Sequence, residues 1–408
     1  MRRFLKYLVI VVGLVAVFML TVQLTLGGYE DEFEARIALL RENGDPLEFA
    51  DLADPPIPDE ENAAKLWEEA AAWLKAHTVE GGLTLYDLED DARAERAEKD
   101  WRAYLESLEP YYELLKRIPT RPGWSVPHYD PGQSDAVSRS LEWLSDASFY
   151  LGHRVKLDPR AEGRTERAAE ATLLTLDLAD CCRKPMAFGY YVRLSMKSSA
   201  AVLLRSIHAK PGFDARLYRH LVEARLAAAA PATGPPARVL REERIQALWA
   251  VRKWLRGDLV TTFHPGWMER LRTTWVGRPW VFRDAVRCLD VIDAAIARCD
   301  KTPEEAVRVA RTLEQEADYD PDSLAGGYQG FLPHLFTNYA GAVAQNRCAR
   351  VAMALLEHKQ QTGEWPETLP AALPTNPFTG APFEYERDGK GIRIVIPEIE
   401  EEWLLGAS

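Results

Sequence analysis

Three short stretches bring a histidine together with aromatic side chains: Trp124, His128 and Tyr129; His264, Trp267, Trp275 and Trp280; and Tyr328, Phe331 and His334. Were these to converge, they would make an apolar pocket with a few polar groups, the usual form of a small-molecule site. Each stretch also carries proline and glycine, which suits rigid plugs filling the space between helix ends, and packing is the preferred reading. Asp318, Asp320 and Asp322 alternate like the first ligands of a calcium loop. Ser323 and Gln329 stand where that loop needs glycine and glutamate, so the stretch reads as an acidic turn that ends a helix.

Carboxylates are abundant. Glu89, Asp90, Asp91 and Glu95 could in principle supply the acid and base of a hydrolase. In an acidic chain such groupings arise from composition alone, and they read as solvated helix faces or partners of arginine. Arg241-Glu242-Glu243-Arg244 reads as an ion-pair network on or between helices. The chain has no His-Glu-x-x-His, no Gly-x-Ser-x-Gly, no phosphate-cradling loop and no dinucleotide fingerprint. No catalytic, cofactor-binding or metal-ligating residue is therefore assigned.

The five cysteines fit the same picture. Cys288 and Cys299 share an apolar stripe with Leu289, Ile292 and Ile296, three turns apart, too far to bridge each other. Cys348 lies on a stripe with Ala344, Val351 and Leu355, and Cys181 and Cys182 end another with Leu174 and Leu178. They read as small buried hydrophobes. A formal charge of −12 over 408 residues repels phosphate backbones, so nucleic acid is excluded as a partner.

The elements that position these groups are almost all helical. Residues 7–26 form an uncharged run between Arg2, Arg3 and Lys6 and the acidic group Glu30, Asp31, Glu32 and Glu34. At about 1.5 Å per residue the run reaches roughly 30 Å, which predicts a transmembrane anchor with its N-terminus cytoplasmic and the bulk of the chain outside the inner membrane. The ending Leu24-Thr25-Leu26-Gly27-Gly28 lacks the small-residue pattern of a cleaved signal. A short helix with Phe33, Ile37 and Leu40 inward should end at Asn43-Gly44, and Pro46, Pro55, Pro56 and Pro58 suggest a stalk.

Beyond Asp59, taken as an N-cap, amphipathic segments recur over about 63–74, 88–117, 133–156, 161–183, 186–208, 214–229, 237–256, 266–300, 303–317 and 333–361. Thr302, Pro303 and Glu305 spell a capping box. Only the tail alternates: Phe383-Glu-Tyr385 and Ile392-Arg-Ile394-Val-Ile396 flank Asp388-Gly-Lys-Gly391, a hairpin signal. The fold class expected is all-α: a transmembrane helix with its cytoplasmic stub (1–28), a short helix and stalk (29–58), a helical-hairpin or layered-bundle ectodomain (59–361), and a C-terminal β-hairpin module (362–408).

The tail also carries a resemblance. Gly363, Trp365-Pro366, Leu369, Asn376-Pro377-Phe378-Thr379-Gly380, Pro382 and Tyr385 resemble the C-terminal part of type II secretion pseudopilins. They also resemble the tail of a group of uncharacterised single-anchor bacterial envelope proteins, which Pro55-Pro56-Ile57-Pro58 and Asn62-Ala63-Ala64 resemble at the other end. The anchor does not begin as a pilin does, and Asn376 replaces the usual acidic residue, so the resemblance implies architecture and envelope location without a metal site. The function expected is that of a scaffold or interaction protein of the envelope with a protein partner. The alternative is an envelope hydrolase using Asp, Glu or His in a cleft between helices.

Overall fold

The computed structural model describes residues 2–52, 57–77, 103–124, 134–181, 187–229, 235, 237–256, 278–316, 323–388 and 391–406. Its helices, in chain order, are α1 (Arg2–Leu26), α2 (Gly28–Glu42), α3 (Ala63–His77), α4 (Glu109–Arg117), α5 (Ser134–Leu157) and α6 (Arg164–Cys181). They continue as α7 (Ala187–Ile207), α8 (Ala215–Ala229), α9 (Ala237–Arg256), α10 (Arg278–Ile296), α11 (Pro303–Glu316) and α12 (Leu324–Thr362). A three-stranded antiparallel sheet follows: β1 (Glu384–Asp388), β2 (Gly391–Ile396) and β3 (Glu401–Leu405), in the order β1-β2-β3. The chain divides into two compact units. The first comprises Met1–Ala53, Pro236–Cys299 and Ala310–His334, the second Asp54–Pro235, Asp300–Val309 and Leu335–Ser408.

In the first unit, Phe33, Ile37 and Leu40 on α2 pack with Leu248 and Val251 on α9 and Val281, Phe282, Ala285 and Leu289 on α10. Helix α2 stops as its sequence predicts. Gly44 adopts φ +70, and Asp45 N donates to Leu40 O at 2.9 Å, closing the helix with a left-handed residue that only glycine adopts without strain. Arg244 on α9 is buried, with Nη1 donating to Asp293 Oδ1 at 2.9 Å and Nη2 2.9 Å from Asp45 Oδ1. The arginine cluster thus makes an interhelical pair whose two carboxylates offset the desolvation of the guanidinium.

Helix α1 forms over the expected residues. Among the described residues, however, no helix is long and apolar enough to cross a membrane. This corrects the expectations of a transmembrane anchor at 7–26, of a single-pass topology and of an inner-membrane location. The last turns of α1 instead lie against protein: Val22 is buried, and the Phe18 ring stacks on Trp280 of α10 with centroids 6.4 Å apart. Ile10, Val12, Leu14, Val17 and Leu20 are exposed.

In the second unit one core joins α6, α7, α8, α12 and the sheet, through Leu176, Leu204, Tyr218, Cys348, Met353, Ile394 and Trp403 among others. Another joins α3, α4, α5 and α6 around Trp67, Leu108, Tyr111, Leu115, Tyr150 and Leu178. Three local expectations change. The cap of α3 is Asn62, whose Oδ1 accepts Ala64 N at 3.0 Å, and not Asp59. Helix α12 runs through Pro333 from Leu324, because Asp284 of α10 accepts Leu324 N at 2.8 Å and Ala325 N at 3.2 Å, and Leu332 and Phe336 are fully buried around the proline. The expected hairpin is a three-stranded sheet, since Trp403 and Leu405 point inward and pair in register with Ile394 and Ile392. The Thr302 box forms as predicted, with Glu305 N donating to Thr302 Oγ1 at 3.3 Å and Thr302 N to Glu305 Oε2 at 3.1 Å.

The tail motif is a docked turn. Gly363 ends α12 at φ +78 and Trp365 is buried. Tyr385 Oη donates to Pro366 O at 2.6 Å. Asn376, 3 % exposed, accepts Phe378 N at 2.9 Å and donates through Nδ2 to Glu398 Oε2 at 3.1 Å.

Between α7 and α8, Gly212 adopts φ +79, and a Cβ there would lie 2.4 Å from Ala161 O. Backbone strain and backbone overlap both oppose any side chain. Gly212→Ala should therefore destabilise the protein by at least about 1 kcal/mol, read as a lower urea midpoint with unchanged m. An unchanged midpoint would contradict the close approach of the two loops.

Candidate functional site

A groove of about 510 Å³ opens in the second unit, bounded by α5 and α7 with Thr175 of α6 and Gln345 of α12 also in its lining. Helix periodicity builds it. On α5, Ser145, Ser148, Phe149, Gly152, His153 and Lys156 recur at intervals of three and four and share one face. On α7, Val192, Ser195, Ser198, Ser199, Val202 and Ser206 do the same. Short side chains on both facing stripes leave space where leucines would have closed the interface. Gly152 shows how near the helices come, since a Cβ there would lie 3.5 Å from Leu203 Cδ2.

The chemistry of the lining is uneven. Thr175 is buried and commits its hydroxyl to Ala171 O at 2.8 Å. The serine hydroxyls of Ser145, Ser148, Ser195, Ser198, Ser199 and Ser206 have no such bond among the described residues. The His153 and Phe149 rings lie nearly parallel, 12° apart with centroids separated by 6.2 Å. Burial, reinforced by the Lys156 ammonium, pushes the His153 imidazole down to about 4, so it is neutral at neutral pH. Among the described residues lining the groove, Lys156 is the one permanent charge and no carboxylate is present.

Outside the groove, charged groups are arranged as structural pairs. Arg225 donates to Asp177 Oδ1 at 2.8 Å and Asp180 Oδ2 at 2.6 Å, and Lys197 Nζ lies 2.8 Å from Asp180 Oδ1. Burial raises Asp180, but Lys197 and Arg225 more than reverse it and hold the carboxyl below its usual value. The Arg154 guanidinium lies 4.0 Å over the Tyr112 ring, and buried Arg164 donates to Asp158 O at 3.0 Å.

The sequence candidates are distributed as follows. Trp124 is buried in the second unit. Trp280, Tyr328, Phe331 and His334 belong to the first, and the last three lie on α12 and not in a loop. Tyr328 Oη donates to Glu243 O at 3.1 Å, and His334 is exposed. His128, Tyr129, His264, Trp267, Trp275, the carboxylates Glu89 to Glu95, the Asp318–Asp322 turn and Cys182 lie outside the described residues. Cys288, Cys299 and Cys348 are buried, and burial raises the Cys288 thiol well above the ordinary thiol value. Among the described residues no group of His, Cys, Asp and Glu could hold a metal ion. The serine stripes carry no apolar periodicity, so hydrophobic patterning does not reveal them. Ser at i, i+3, i+4 and i+11 between apolar faces of one helix was the sign available.

No family model, no curated protein and no solved structure matches this chain.

His153 gives the site a pH signature. The unfolded histidine takes up a proton near its ordinary value of 6.5, whereas the folded one resists until about 4. Stability from this residue is therefore complete above pH 6.5, is lost as pH falls from 6.5 to 4, and is level below that. The loss should be about 2 kcal/mol after allowance for partial exposure. Urea unfolding at pH 7 and pH 4 should show a smaller drop for His153→Phe than for the wild type by that amount. Equal drops would mean that His153 titrates normally in the folded protein.

Proposed function

We propose that this protein is a helical binding protein that recognises a small polar ligand in the groove between α5 and α7. The observation that carries the reading is the groove: about 510 Å³ held open between two closely packed helices by serines whose hydroxyls have no described protein partner. That volume falls within the roughly 300–1,000 Å³ typical of ligand sites. A groove lined by hydroxyls with no described protein partner offers donors and acceptors to a solute that can replace the water there. This narrows the scaffold or interaction role to recognition by one named surface.

The alternative of a hydrolase gains less support from the same lining. Its described residues offer no carboxylate to pair with an acid or orient a base, and a histidine held at about 4 is a weak base at neutral pH.

Ser199→Phe should fill the groove while preserving the helix. In a thermal-shift screen of polar metabolites, at least one compound should raise the melting temperature of the wild type and leave that of the variant unmoved. Circular dichroism would confirm that the variant keeps its helical content. If every stabilising compound acts equally on both proteins, the groove is not the recognition site.

A further inference from the structure

We infer that the ligand of the α5–α7 groove is a hydroxylated carboxylate of the sugar-acid class, held with its carboxylate at Lys156 and its ring against Phe149 and His153. The inference rests on the groove being the binding site and concerns what the groove selects.

Three features of the lining set the chemistry. First, the six serine hydroxyls and the Gln345 amide can each donate and accept. Such a surface matches a ligand whose own groups do both, as sugar hydroxyls do. It disfavours an alkyl chain, which would strip water from those hydroxyls and return nothing. Second, Phe149 and His153 present two nearly parallel rings. A flat aromatic surface accepts the C–H face of a pyranose, and the neutral imidazole adds no charge to it. Third, Lys156 stands at one end of the α5 stripe, is exposed, and makes no ion pair among the described residues. A flexible ammonium at the mouth of an otherwise uncharged groove selects one anionic group and not several.

The dimensions agree. Ser145 and Lys156 are separated by eleven residues of α5, about 16 Å along the helix axis. That length takes a monosaccharide acid or a disaccharide bearing one carboxylate. A polyphosphate would find a single cation, and a dicarboxylate would place its second charge among neutral hydroxyls.

Isothermal titration with D-glucuronate, D-glucose and hexanoate as probes tests the assignment on the full chain. Glucuronate should bind more tightly than glucose, and hexanoate should not bind. Lys156→Gln should weaken glucuronate by about 5- to 10-fold and leave glucose unchanged, and Phe149→Ala should weaken both sugars. Failure of glucuronate to bind, tighter binding of hexanoate, or indifference of glucuronate to Lys156→Gln would overturn the ligand class. If in those cases Ser199→Phe still abolishes the response to another compound of the screen, the groove stands and only the class falls. If Ser199→Phe abolishes nothing, both fall.

Discussion

The second unit depends on one constraint: between Tyr339 and Leu356, α12 is buried nearly all round. Tyr339, Ala340, Val343, Ala344, Cys348, Ala349, Val351, Ala352, Met353 and Leu355 are each almost completely inaccessible. A helix enclosed on every side must present small side chains where its neighbours come close. Alanines, Gly341 and Cys348 meet that need, and a Cβ on Gly341 would already lie 3.4 Å from Ile399 Cγ2. Asn346, one of its few buried polar side chains, donates to Leu226 O at 2.9 Å and so satisfies a carbonyl near the end of α8. The sheet is held to α7 at its rim, where Arg205 Nη1 donates to Glu401 Oε2 at 2.7 Å and its guanidinium lies over the Trp403 ring.

Against that closely packed interior, the groove between α5 and α7 is an exception that needs a reason. Both helices bury their other faces efficiently: Ala147, Tyr150 and Leu151 on α5, and Leu194, Ala200 and Leu204 on α7, are inaccessible or nearly so. Ser145 and Ser148 on α5 and Ser195, Ser198, Ser199 and Ser206 on α7 lie instead along the groove, part-exposed or exposed. A protein that keeps polar hydroxyls where apolar packing was available has given up stability at that place. The reading of the groove as a recognition surface follows from this local departure and not from any motif.

Much of the helical architecture was legible in the sequence, because amphipathic spacing and end signals are local. The capping box at Thr302, the left-handed stop at Gly44, the glycine exit at Gly363 and the apolar stripe holding Cys288 all stand where periodicity put them. What failed depended on partners distant in sequence. Pro333 reads as a helix start, yet α12 begins nine residues earlier because Asp284 from another helix satisfies its first amides. Glu401–Leu405 carries no strand signal of its own, yet it becomes a strand because Ile392, Ile394 and Ile396 leave an edge for it to pair with. The uncharged N-terminal run reads as a membrane span from its length and lack of charge alone, whereas in the fold Val22 is buried against protein and the Phe18 ring stacks on Trp280.

By itself the sequence determined the class of structure: a mostly helical acidic chain with small alternating strands at its end and cysteines placed on apolar helix faces. Those properties come from composition and short-range periodicity, which act within a few residues of each position. Tertiary structure alone decided which faces meet, and hence that Ser145 to Lys156 on one helix and Ser195 to Ser206 on another enclose a common space. The physical reason is that a serine stripe has no pairing rule of its own. Whether it faces solvent, a core or a second stripe is settled by the apolar faces around it, which fix the helices and leave the hydroxyls to whatever lies between them.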